Sequence, residues 1–305
     1  MAALEEIDAA LGARLASAIA ASEVAVRTLL LGNCGATRSV EGAPWTSTLT
    51  HASPLLTVFY APGPPGSSYN RFKGVCSLPF PPSLVWDCLH DNARRHAWDR
   101  NIHRVASTPL AAGPAITPSS PPLRACIVHS QTRNVGIIAG RDFTDLPVFL
   151  SFADAPAAPA GPDAYAAPQG TLVSGGAGIE DAQFPPQPGF VRGWNSPGSG
   201  WVLEPVAQPS GAVHTKVHYL IHTDLKGWIP SALVNASLAV RAQRAAAFSL
   251  PGPIFLARGR RSSRLPQFLT PTSPRPACNA AKLRCVFYRL GEGVLAQGEP
   301  RLLST

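Results

Sequence analysis

No run of eighteen consecutive apolar residues occurs in this 305-residue chain, and its longest apolar stretches, such as 146–153, are only strand-sized. An uninterrupted hydrophobic span is therefore not expected. The first residues include Glu5, Glu6 and Asp8, with no basic segment ahead of an apolar one, so no secretory leader or transit peptide is expected either. None of the six cysteines (34, 76, 88, 126, 278, 285) belongs to a CxxC pair. They read as reduced thiols, with Cys76, Cys88 and Cys126 inside apolar segments, and a cytoplasmic setting is the expectation. Missing too are a GxSxG elbow, a P-loop and a GxGxxG after a strand, which argues against nucleophilic hydrolysis and nucleotide binding. Charged residues make up only 14% of the chain and apolar ones 45%, a globular balance rather than a disordered one.

What is present has clear periodicity. Leu4, Ile7, Leu11, Leu15 and Ile19 recur every three or four residues, so a helix is expected over 3–30, with Val26 continuing the stripe and Ser22 interrupting it. Strands follow at 55–60 and 71–78, separated by the turn-rich 61–70. Pro81 and Pro82 open a short helix over 83–89, because proline needs no donor in a first helical turn. Strands are then expected at 102–107, 123–132, 142–153, 171–175, 189–194, 200–206 and 213–225. Two irregular stretches interrupt them, the Pro-rich connector 111–122 and an Ala/Pro/Gly loop at 154–170. In the last strand Val213, Thr215, Val217, Tyr219, Ile221 and Thr223 face one way, while His214, Lys216, His218 and His222 face the other, read as wet. A long helix over 230–250 bears a stripe of Val234, Leu238, Ala242, Ala245 and Phe248, and Pro251 and Pro253 end it. This order fits an α+β arrangement, a curved antiparallel sheet with that long helix laid against its inner face and a space left between them.

Four sets of residues carry a family resemblance. They are Trp98-Asp99 after the short helices, Arg141-Asp142-Phe143, Arg192-Gly193, and Asp224-Leu225-Lys226-Gly227-Trp228-Ile229-Pro230. In this order, over about 180 residues, they resemble the START domain, the StAR-related lipid-transfer family, nearest its small soluble sterol- and bile-acid-binding branch. The resemblance implies a helix-grip fold over 1–250, the curved sheet folded around a cavity with the C-terminal helix as lid, holding one lipid without bond chemistry or a cofactor. It places Asp99, Ile102, Val173 and Asn195 at the cavity and Arg141 in the family motif. His129, Val234 and Leu238 complete the expected lining, with Trp228, Ile229 and Pro230 as lid hinge. The cavity-spanning ion pair of cholesterol carriers is not kept. Pro147 stands at its basic position and Val128-His129 at its acidic one, so sterol, bile acid and phospholipid all remain open as ligand.

Several of these residues also admit structural readings. Arg141-Asp142 can form a local ion pair, Asn195 can serve its turn, and His129 can be a satisfied core histidine. The loop 154–170 is either inert or part of the gate. His214, His218 and His222 repeat every four residues, but on a strand that spacing is roughly 13 Å, too far for one metal ion. No metal site is expected. Two alternatives stay open beside the carrier: an enzyme of the same fold (a cyclase or hydrolase) and a lipid-sensing interaction module.

The net charge of +8 is unevenly placed. Residues 251–305 hold nine basic and two acidic side chains, net +7, which leaves +1 for 1–250. Basicity therefore belongs to a Pro/Ser/Arg-rich tail, where Arg258, Arg260, Arg261 and Arg264 are expected to meet anionic membrane transiently. Nucleic acid is disfavoured as a partner, and a monomer is expected.

Overall fold

A computed structural model describes residues 2–229, apart from 36, 41, 51–55, 96–98, 100, 121, 135–137 and 153–164. The expected helix is α1 (Ala2–Ala25), running through a π-helical turn (Val26–Leu30) into α2 (Leu31–Cys34). Its buried side comprises Ile19, Ser22, Val26, Leu30, Leu31 and Cys34. The polar interruption at Ser22 is a fastener: its hydroxyl donates to Leu146 O at 3.0 Å. Arg124 adds a two-pronged bond to Glu23 at 2.6 and 2.8 Å. Glycine permits the close approach, since a Cβ on Gly175 would lie 2.6 Å from the Leu30 side chain and 2.9 Å from Ser199 O. The segment Gly12–Cys34 is long and apolar enough to cross a membrane by length and composition, with mean hydropathy 1.5. No unbroken apolar run marks it in the sequence, because Ser, Gly, Thr and three charges punctuate it.

The strands are β1 (Thr46–Thr50), β2 (Leu56–Ala61), β3 (Arg71–Leu78), β4 (Ile102–Ala112), β5 (Leu123–Thr132), β6 (Arg141–Phe152), β7 (Thr171–Gly178), β8 (Val191–Arg192), β9 (Trp194–Asn195), β10 (Ser199–Ala207), β11 (Val213–Ile221) and β12 (Thr223–Asp224). The main sheet runs β1-β2-β3-β11-β10-β7-β6-β5-β4, with β8 parallel to β6, and β9 pairs with β12 beside it. Where one long strand was expected at 189–194, two short ones lie either side of Gly193. Gly193 passes against Phe143, whose ring would be 2.3 Å from a Cβ there.

Both faces of the sheet are covered. The front face packs Phe72, Cys76, Leu172, Trp201, Leu203, Val217, Tyr219 and Ile221 against Val85, Trp86 and Leu89 of α3 (Pro82–His90). The back face packs Val148, Val173, Val202 and Leu220 against the N-terminal helix. This corrects the expectation of a wet face on β11: His218 is 1% exposed and His222 8%. The helix that required an apolar partner surface found it there. The connector before β5 is tied to α3, since the Thr117 and Ser119 hydroxyls both donate to the Asp87 carboxylate. The expected helix 230–250, the insertion core 153–164 and the tail 251–305 lie outside the described residues.

Candidate functional site

The front face is rich in aromatic rings. Trp201 stacks on Tyr219 with centroids 4.1 Å apart, and His90 lies 4.1 Å from Trp86 and 5.2 Å from Phe149. Polar groups share this surface by alternation along their strands: Asp145 with Phe149, and Ser174 with Leu172. Asn195 Nδ2 donates to both Asp145 oxygens, at 3.1 and 2.9 Å, and Asn195 Oδ1 accepts from the Thr223 hydroxyl at 2.6 Å. Asn195 thus ties β6, β9 and β12 together through its amide. Asp145 did not emerge from sequence reasoning, although alternation along its strand pointed to it.

The other expected site residues are dispersed. Asp99 caps the turn into β4, accepting from Asn101 N at 3.2 Å and lying 3.7 Å from Arg95. Ile102 is buried at the start of that strand, opposite Thr132. Val173 departs from its expected lining role, because it packs with Val26 and Leu30 on the back face while Leu172 takes the front. His129 also points back, in phase with Ala125 of the back cluster, and stacks on Phe184 at 5.0 Å. Its Nε2 lies 3.5 Å from Asp142 Oδ2. Burial pushes the His129 imidazole down, and the neighbouring carboxylate offsets this only in part.

No Arg141–Asp142 pair forms, since neighbours on a strand face opposite ways. Asp142 accepts instead from Arg192 Nη2 at 2.9 Å and Nε at 3.2 Å. Arg141 donates to the backbone carbonyls of Ala139, Leu225 and Lys226. Beyond them Trp228 is 95% exposed, whereas Leu225 and Ile229 pack against the front cluster. Pro230, Val234, Leu238, Arg258, Arg260, Arg261 and Arg264 lie outside the described residues.

A polar cluster beneath the N-terminal helix was not anticipated. Glu204 accepts from the Tyr165 hydroxyl, with His218 Nε2 at 2.5 Å and Lys216 Nζ at 3.4 Å. Burial alone would raise this carboxyl, but His218, Tyr165 and Lys216 outweigh it and hold it at about 2. Nearby Lys73 donates to Asn33 O at 3.1 Å and sits over the Trp45 ring. Burial lowers it to about 8.

His90 supplies a pH prediction on the front face. Burial lowers it from 6.5 to about 4, opposed by its bond to Trp86 O and reinforced by Arg95. A depressed folded-state value means that its stability contribution is complete above 6.5 and is lost as pH falls through 4. Urea midpoints should therefore fall in that window by on the order of 3 kcal/mol in stability through this residue. His90→Gln should flatten the decline, and an unchanged slope would remove His90 from it.

The large antiparallel sheet, with few helices, places the chain in the helix-grip class of folds, whose closing helix was expected at 230–250, outside the described residues. The START domain model matches residues 39–247, and the chain belongs to that family. StAR-related lipid transfer protein 5 of Mus musculus is 30% identical over 171 residues, 55% of this chain and 67% of the relative. Steroidogenic acute regulatory protein of Xenopus laevis is 38% identical over 69 residues, 23% of each chain. The solved structure of human StAR-related lipid transfer protein 5 superposes with a TM-score of 0.54 at 23% identity, covering 78% of this chain and 94% of that one. That structural likeness speaks to the fold alone.

Proposed function

We propose that this chain is a non-catalytic carrier that binds one sterol-like lipid on the front face and exchanges it at membranes. The carrying observation is the union on that face of an apolar, aromatic surface with few polar groups, Asp145 and Ser174 among them. Such a surface suits a largely hydrophobic ligand with a polar end, since sparse polar groups fix orientation while apolar contact supplies affinity. The names of its relatives, lipid transfer proteins and a steroidogenic regulator, favour the same assignment. In this reading Trp228, Ile229 and Pro230 form the hinge on which the C-terminal segment opens. The carrier works as a cytoplasmic monomer, and Arg258, Arg260, Arg261 and Arg264 hold it briefly at anionic membrane.

Native mass spectrometry of protein purified from cells should recover one lipid per chain, and fluorescent sterol should pass between vesicles. Removing 251–305 should weaken binding to phosphatidylserine vesicles at low salt, since each basic residue near such a surface contributes about 1 kcal/mol. The carrier reading fails if no lipid is recovered and no sterol binds. Turnover of a lipid ester that collapses on replacing Asp99, His129 or Asn195 would favour an enzyme instead.

A further inference from the structure

Arg141 is 5% exposed, and its hydrogen bonds run to the main chain. Nε donates to Leu225 O at 3.0 Å, Nη2 to Lys226 O at 3.1 Å, and Nη1 to Ala139 O. Ala139 belongs to the segment joining β5 to β6, whereas Leu225 and Lys226 lead from β12 into the hinge. One guanidinium therefore clasps both segments. In the turn it holds, Lys226 takes the left-handed φ of +50°, uncommon for a residue with a side chain, and Gly227 follows at φ +72°, which glycine adopts freely. Asp224 steadies it, accepting Lys226 N at 2.8 Å and pairing with Lys226 Nζ at 2.7 Å.

We propose that Arg141 is the latch of the hinge, a positioning residue that sets the rate of lipid exchange without touching the lipid. This inference rests on the carrier reading above. Opening that carries the turn 225–227 away from β6 takes two of the three acceptors from the guanidinium while it is still largely desolvated, so such opening is penalised. The penalty is the same whether or not lipid is bound, because the acceptors are backbone carbonyls. A latch consequently slows entry and exit alike and leaves affinity nearly untouched. A ligand contact slows exit alone.

The test uses the full chain, a nitrobenzoxadiazole-labelled sterol, and phosphatidylcholine vesicles containing phosphatidylserine. Arg141→Lys keeps the charge but loses the planar fork. Uptake and release should both accelerate by about tenfold, with Kd held within about twofold. Hydrogen exchange of the amides of Leu225, Lys226 and Ile229 should quicken, and that of β10 should not. Faster release with unchanged uptake would make Arg141 a ligand contact and overturn the latch, as would unaltered hinge exchange. If Arg141→Lys does not fold, Gly227→Ala tests the same turn by straining its left-handed backbone, with the same expected direction. Absence of sterol binding in the wild type would sink the carrier reading, yet the amide measurement would still decide the latch.

Discussion

Replacing Asp142 by alanine should cost about 3–5 kcal/mol of folding stability, the range for breaking a buried ion pair by removing one partner. Asp142 is 0% exposed, and it is the buried acceptor of the Arg192 guanidinium. Arg192 side-chain exposure is 13%, and its other partners are Phe184 O at 2.8 Å and, in a longer pairing screened by solvent, the exposed Glu180 at 3.8 Å. The same carboxylate accepts Gln187 N at 3.4 Å, so its loss also frees the segment that brings Phe184 over His129. Urea denaturation of Asp142→Ala beside Asp142→Asn separates charge from shape. Asn keeps an acceptor and should recover part of the loss. Equal stability in wild type and Asp142→Ala would show the pair to be dispensable.

That pair illustrates how the sequence could be read and where it could not. Arg71–Leu78 and Leu123–Thr132 alternate or turn apolar between strong turn formers, and their strands match expectation at both ends. The helix stripe from Leu15 to Val26 was equally legible, because spacing on one element needs no knowledge of another. Which face each strand residue takes was harder, since it depends on what packs there. Val173 and Val202 alternate with Leu172 and Leu203, a continuous apolar run that signals burial on both sides. That pattern points to a covered back face, with Val173 off the lining. Arg141 and Asp142 were recognisable as a motif, but their partners, Lys226 and Arg192, are 85 and 50 residues away. Such pairing is set by topology and leaves no local pattern.

The back-face cluster yields the second large effect, and it also bears on the inserted loop. Glu204 at about 2, against an ordinary 4.5, has a depressed folded-state value. Its stabilisation is complete above 4.5 and is lost as pH falls through 2, on the order of 3 kcal/mol in all. Burial holds His218 below its ordinary 6.5, so at pH 7 its charge is largely absent, and Glu204→Gln should be less stable than wild type by only part of that amount. The two stability curves should converge between pH 4.5 and 2, and a gap that persists at pH 2 would mean that packing, not charge, is responsible. Tyr165 gives this cluster its wider meaning. It lies in the C-terminal part of the loop 154–170, donates its hydroxyl to Glu204, and lays its ring where a Cβ on Gly35 would meet it at 2.8 Å. The C-terminal end of the insertion is thus anchored on the back face, on the opposite side of the sheet from Leu225 and Ile229. An effect of Tyr165 on exchange must then be transmitted through the sheet or the N-terminal helix. Glu204→Gln should free that end at neutral pH without altering sterol release, whereas a change in release as large as that from Arg141→Lys would place the insertion in the gate.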